Sequence, residues 1–232
     1  GNVCNVEEIQ RIAEKYNLKV IYDAAHAFGV AYKGKGIGNY GDASIFSFHA
    51  TKVFNTIEGG AVTFSDHKMY EKLYNLKNFG IRGEELVTSV GANAKMNEFC
   101  AIMGLCNLKH LDEALKNRQE RYDYYRQGLE KVKGISFFAT NAEATNNFAY
   151  FPIIIEDDYG ITRDEIYDEF HESNIYARKY FYPITADQAC FRNKYKNNKL
   201  DVARYISQRV LILPFYEKMQ IGTIDTIIQI LR

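Results

Sequence analysis

Three short segments gather side chains that could do chemistry: IYDAAHAFG (residues 21–29), SIFSFHATK (44–52) and NTIEGG (55–60). Each sits at the carboxyl end of a predicted strand, the edge at which open α/β sheets hold ligands. Asp23 follows an apolar run into a stretch of small residues. A carboxylate in such a setting is kept only where something positive or hydrogen-bonding meets it, and the sequence offers it no neighbouring cation. A ligand with a protonated ring nitrogen would serve. Lys52 lies five residues past Ser47, at the end of another predicted strand, and could give an amine to a carbonyl. A ring nitrogen for Asp23 and a carbonyl for Lys52 together describe pyridoxal 5'-phosphate.

The elements that must position these groups follow from periodicity. Val6, Ile9, Ile12, Ala13 and Tyr16 recur at helical spacing behind Asn5 and Glu8, which are laid out as a capping box. The run from Leu18 to Tyr22 is short, apolar and rich in β-branched residues, and predicts a buried strand. Ala43 to Phe48 and Ala61 to Phe64 predict two more, with a helix from Ser65. A long helical region from Asn97 to about Val132 is expected to connect two lobes. Beyond it, Ala149 to Ile155 predicts a strand, and Thr162 with Glu165 a second capping box. Ile206 to Leu213 predicts a helix end running into a strand stopped by Pro214, and Ile224, Ile227, Ile228 and Leu231 a terminal helix. Helix alternating with buried strand indicates an α/β class, followed by a smaller mixed lobe.

Composition removes several classes. The 232 residues carry 29 basic and 29 acidic side chains, a formal net charge of zero, so no broad basic field for nucleic acid exists. Hydrophobic residues make up 47% and charged residues 25%, which argues for a folded chain over a disordered one. No apolar run approaches the roughly 18 residues of a membrane span. Cys4, Cys100, Cys106 and Cys190 are scattered without metal-ligand spacing, which fits a reducing cytoplasm and no metal centre. The chain starts with Gly1 rather than methionine, and its first helix lacks the preceding strands an α/β core needs. It reads as a fragment.

DAAHAFG, SFHATK, EGG and GANAKMNE, followed by ARKYFYP and LILPFY, resemble in order the motifs of the DegT/StrS-type nucleotide-sugar aminotransferases. The resemblance spans the whole chain, starting partway through that family's large domain. It implies fold type I of the pyridoxal-phosphate transferases: residues 1–110 as the remainder of the large cofactor-binding domain, and residues 111–232 as the linking helix and a small C-terminal α+β domain. By position, Lys52 matches the lysine that carries the cofactor, and Asp23 the partner of its ring nitrogen. His26 matches a residue contacting the ring or its phenolic oxygen, and Ser47 a hydroxyl bonded to the phosphate. Asn93 matches a residue reaching the phosphate of a neighbouring subunit, which implies a homodimer. Arg178 and Tyr180 could meet a diphosphate or a donor carboxylate. The wording HATKVFNTIEGG and NAKMNEF is most similar to VioA-like members, which implies glutamate as amino donor and dTDP-4-keto-6-deoxyglucose as acceptor. A 3-keto sugar is the competing acceptor. A non-catalytic fragment unable to hold cofactor is the competing reading of the chain, and sugar dehydratases are disfavoured because they resemble this pattern with histidine at position 52.

Simpler readings stand beside these. Gly36 to Gly41 fits G-x-G-x-x-G, but a predicted strand follows it where a dinucleotide site needs a helix. His49 reads as a structural histidine, and His67, His110 and His171 as surface residues. Arg82, like Arg178, could equally be a surface group.

Overall fold

The computed structural model describes residues 1–191, 193–194 and 199–232. They form two units: Gly1–Leu115 with Thr140–Ala149, and Lys116–Ala139 with Tyr150–Arg232.

The first unit opens with helix α1 (Val6–Tyr16), whose N-cap Asn5 accepts a bond from the Glu8 amide at 3.1 Å. The reciprocal half of the capping box is missing, because the Glu8 carboxylate is taken by Arg11 (Nε to Oε2, 2.8 Å). Asn17 ends the helix in the left-handed region at φ 51°. Strand β1 is Ile21–Asp23, later and shorter than the predicted buried strand, and its burial is corrected too. Ile21 is 62% exposed and Asp23 is exposed. The exposure has its cause in the open face of the sheet, and the late start at residues 18–20. There the Val20 amide bonds to Asp42 Oδ2 at 2.8 Å and the Val20 carbonyl accepts from the Asp42 amide, so a side chain replaces the ladder.

Strands β2 (Ala31–Tyr32) and β3 (Lys35–Gly36) form a hairpin whose two turn residues, Lys33 and Gly34, both have positive φ (48° and 74°). A single 3-10 turn, Ile37–Asn39, leads to β4 (Ala43–Ser47), and β5 is Gly60–Phe64. The glycine-rich segment is therefore a hairpin and turn, with no helix at its end. The sheet runs β1-β4-β5, with β1 parallel and β5 antiparallel to β4. Tyr22, Ala24 and Phe46 on one face pack with Val6, Val30 and Ile37. Ile21, Ile45 and Val62 fall on the other face, which stays open.

Helix α2 (Lys68–Lys77) begins three residues after the expected start, and a small hairpin of β6 (Ile81–Gly83) and β7 (Leu86–Val87) follows. The long predicted helix is two: α3 (Glu98–Leu108) and α4 (Leu111–Leu129). At the break the amides of Lys109 and His110 bond to carbonyls only three residues back, Cys106 and Asn107, which tightens and ends the α-helical ladder.

In the second unit, β8 (Ile135–Ser136), β9 (Phe151–Ile155) and β10 (Val210–Leu213) make an antiparallel sheet in the order β10-β9-β8. Helix α5 (Arg163–Glu172) carries the full capping box between Thr162 and Glu165. Helix α6 (Asp201–Arg209) runs directly into β10, and α7 (Ile221–Ile230) closes the chain. Tyr125, Leu129, Phe151, Phe170, Leu211 and Ile224 lie at its centre, essentially without solvent contact. Among the described residues no helix is long and apolar enough to cross a membrane.

Arg163 is 2% exposed, and its Nη1 donates to the carbonyls of Ser207 and Val210, both at 3.0 Å. It caps α6 from inside the core. Arg163→Met leaves two buried acceptors unmet, at about 1–3 kcal/mol each. Urea unfolding followed by far-ultraviolet circular dichroism is expected to show a clearly lower midpoint.

Candidate active site

The parallel pairing of β1 with β4 sets Asp23 beside Ile45, with the Ala24 amide bonded to the Ile45 carbonyl at 2.8 Å. Ser47 lies two residues further along β4, on the same face as Asp23. Ser47 is paired with Gly60, the first residue of β5. NTIEGG therefore opens a strand rather than closing one. Because β5 runs antiparallel, it still lies at the edge where β1 and β4 end.

A cluster of phenylalanines carries the loops beyond that edge. Phe28 stacks on Phe54 with centroids 4.3 Å apart, and Phe48 meets both rings edge-on at 5.5 and 4.8 Å. Such pairs contribute roughly 0.5–1.5 kcal/mol each beyond the area they bury. Phe28 follows His26 by two residues, while Phe48 and Phe54 flank Lys52, so this packing fixes both loops relative to each other. His26 Nε2 and Lys52 Nζ lie 3.1 Å apart. Burial first, and the positive Lys52 second, push the imidazole below its usual value, which keeps it neutral and able to accept from the lysine.

The 49–58 loop is tied down at several points. The Lys52 amide donates to the His49 carbonyl at 2.9 Å, and His49 Nδ1 lies 2.9 Å from Thr51 Oγ1. His49 is thus part of the turn that presents Lys52, in keeping with its structural reading. The buried Thr56 bonds through its amide to Phe48 and through its hydroxyl to Glu58, and Asn107 of α3 donates to the Asn55 carbonyl at 2.8 Å. At Gly59, a β-carbon would lie 2.4 Å from Thr56 Oγ1, so only glycine fits.

Four of the sequence candidates, Asp23, His26, Ser47 and Lys52, therefore share one edge of the sheet. Asp23 is exposed there, its Oδ1 accepting from the Ala25 amide at 3.1 Å, so the expectation of a carboxylate leaving a buried strand is corrected. Asn93 is exposed and bridges Asn78 across an antiparallel contact. Among the described residues no hydrogen bond links it to the other four. Arg178 and Tyr180 belong to the second unit, where Arg178 bridges Ile212 and bonds to the Tyr180 hydroxyl. Lys179 is paired with Asp164. Arg82 is engaged with Glu71 at 3.2 Å. Among the described residues, no His, Cys, Asp and Glu group forms a metal-binding cluster. A cavity of about 630 Å³ beside the sheet is lined by Phe28, Ile37, Phe46, Phe48 and Thr63, and none of the four edge residues lines it.

Asn147 was not legible as a site residue. It is 1% exposed, and its side-chain amide donates to the carbonyls of His26 and Phe28 at 2.7 and 3.0 Å. Its partners lie about 120 residues away, and NNFAY offers no spacing that points to them.

The sequence profile of the DegT/DnrJ/EryC1/StrS aminotransferase family matches residues 1–232. The chain belongs to that family. Among curated members of the DegT/DnrJ/EryC1/StrS group, it is 42% identical over 232 residues to a dTDP-4-amino-4,6-dideoxy-D-glucose transaminase of Shigella dysenteriae, covering all of this chain and 63% of that protein. It is 40% identical over 218 residues to the Escherichia coli transaminase of the same name, covering 92% of this chain and 58% of that one. Among solved structures, DesI, determined in the presence of its TDP-sugar product, superposes with a TM-score of 0.92 at 31% identity, covering 100% of this chain and 59% of that one. The chain thus spans about 60% of the length of the relatives it matches.

A lowered His26 pKa has a consequence for stability. The unfolded chain binds this proton more readily than the folded one, so stability falls as pH drops from about 6.5 toward the lower folded value. His26→Gln is expected to flatten that part of the profile. Urea midpoints measured between pH 7.5 and 5 for both proteins check it, and an unchanged slope would contradict the linkage.

Proposed function

We propose that the protein to which this chain belongs is a pyridoxal-phosphate-dependent aminotransferase. In this reading it moves an amino group from glutamate to dTDP-4-keto-6-deoxyglucose. The observation carrying it is the Lys52 amine 3.1 Å from a neutral His26, at the sheet edge that also presents Asp23 and Ser47. The donor set fits the cofactor. Asp23 offers a carboxylate for the ring nitrogen, Lys52 an amine for the aldehyde, and Ser47 a hydroxyl for the phosphate. Gly60, paired with Ser47, keeps the flank of that hydroxyl free of a side chain.

When bound, the cofactor supplies an electron sink that stabilises negative charge at the carbon losing its proton. The protein's contribution is to hold and deliver protons. Asp23, as a carboxylate, would keep the ring nitrogen protonated. Lys52 would hold the cofactor covalently, and its Nζ, when free, would carry a proton between the substrate's carbon and the cofactor's. His26 accepts from that nitrogen while neutral, which orients the amine. Glutamate would leave as its keto acid, its amine retained by the cofactor, before the ketosugar enters, so one site would serve both substrates in turn.

The names of the transaminase relatives support a 4-keto acceptor over a 3-keto one. Arg178, beside Tyr180, is proposed to meet an anionic group of the nucleotide sugar or of glutamate. A second copy of the chain is the proposed partner. Asn93 would reach the neighbouring cofactor phosphate, and α3 leaves Phe99 83% exposed, with Ile102 and Leu105 also open on its surface. Residues 1–110 and 111–232 are proposed to be parts of the large domain and the linking helix with the small domain. All four cysteines are free thiols, which suits the cytoplasm.

The test uses the full-length protein with added pyridoxal phosphate. Borohydride reduction and peptide mapping are expected to place the label on Lys52 and to find none in Lys52→Ala. Amine transfer from glutamate to the 4-keto sugar is expected to fall by roughly 10²-fold or more in that variant. A label elsewhere overturns the assignment of Lys52, and labelling without transfer to either ketosugar overturns the sugar assignment.

A further inference from the structure

Residues 143–147 form a strap laid across the 26–33 segment of the first unit. Tyr32 and Ala144 make an antiparallel bridge, the Lys33 amide bonds to the Glu143 carbonyl at 2.8 Å, and Ala31 and Thr145 exchange two bonds, each 2.8 Å. The strap ends at Asn147, whose side chain is fully committed. Its Nδ2 donates to the His26 and Phe28 carbonyls, and its Oδ1 accepts from the Ala149 amide at 3.2 Å. The backbone of Gly1 passes so close that a β-carbon there would sit 2.7 Å from Asn147 Oδ1. No other residue type of this size supplies two donors to converging carbonyls and one acceptor beside them; aspartate has the shape without the donors.

We infer that Asn147 is a positioning residue for Lys52, acting through His26: by clamping the carbonyls on either side of Ala27 it fixes the imidazole that receives the lysine amine. The inference rests on the proposed cofactor role of Lys52 and adds a residue that touches neither cofactor nor substrate. A loop carbonyl accepts any donor, including water, so the backbone alone would tolerate its loss. The direction of the imidazole would not, because the ring hangs from the residue whose carbonyl is clamped. The neutral state of His26 comes from burial and from Lys52, and both depend on the ring staying where the clamp puts it.

The experiment measures the rate at which pyridoxal phosphate becomes trapped on Lys52 in the full-length protein, by timed borohydride quenching and peptide mapping. Wild type is compared with Asn147→Ser and Asn147→Asp, and thermal melting is recorded alongside. Both variants are expected to label Lys52 roughly tenfold more slowly at temperatures where they remain folded, as misplacement of a reacting group predicts. The pH at which the visible band of bound cofactor changes is also expected to move. A purely structural residue would lower the melting temperature and leave rate and band unchanged in the folded range, and that result overturns the inference. Should neither variant fold, the wild-type protein still decides. The Asn147 side-chain amide resonances in ¹⁵N spectra are expected to shift when Lys52 is loaded, and resonances that stay in place overturn the inference. Failure of wild type to label at Lys52 would instead strike the proposed function.

Discussion

The site depends on one parallel pairing. Asp23 and Ile45 lie side by side because β1 and β4 run in the same direction, so two chain segments more than twenty residues apart end at a single edge. A slip of one residue would turn Asp23 to the opposite face, toward Tyr22's present packing partners, and would part it from Ser47. What holds the register is partly outside the ladder. Asp42 accepts from the Val20 amide and pairs with Lys19, which fixes the approach to β1 from the side of β4. The edge also gains from the reversal of β5, which brings Gly59 and Gly60 to the ends of the two parallel strands.

Beyond the edge, packing replaces hydrogen-bond ladders. Three phenylalanine rings hold the loop of His26 against the loop of Lys52, and polar side chains then fix each loop's backbone. Thr56 and His49 act within their own loop, while Asn107 and Asn147 reach in from distant parts of the chain. The lysine and histidine are close because apolar contacts put them there, and they remain compatible because the imidazole stays uncharged. Two cations at this separation would repel, and it is burial that lets the weaker base give way.

Signals that act within a few residues are legible in the sequence, and those that act across the fold are not. Asn5, Thr162 and Pro214 marked element ends because capping and the missing amide of proline act within a few residues. Asp23, His26, Ser47 and Lys52 stand out as candidates because Asp23 and Ser47 end strands and His26 and Lys52 follow in the loops beyond, in a wording shared with a family. The interruption between α3 and α4 carries neither glycine nor proline, and so left no mark. The exposure of Ile21 was hidden as well. An apolar run looks the same whether one face of its sheet is covered or both, and here only the face bearing Tyr22 and Ala24 is packed. Asn147 was silent because its partners are non-local carbonyls, to which any sequence position contributes equally.

The route of the backbone has a consequence for dissecting this protein. The chain leaves the first unit after Leu115, returns at Thr140, and departs again after Ala149, so three peptide connections join the two bodies. No single cut yields both intact. A gene split after Leu115 strips the first unit of its strap and leaves ten orphaned residues in the middle of the second. Either unit made alone needs a redesigned topology: the first with residues 140–149 grafted back, the second with a short linker in their place. Limited proteolysis at any one junction would likewise give two fragments, at least one of which still carries residues of both units.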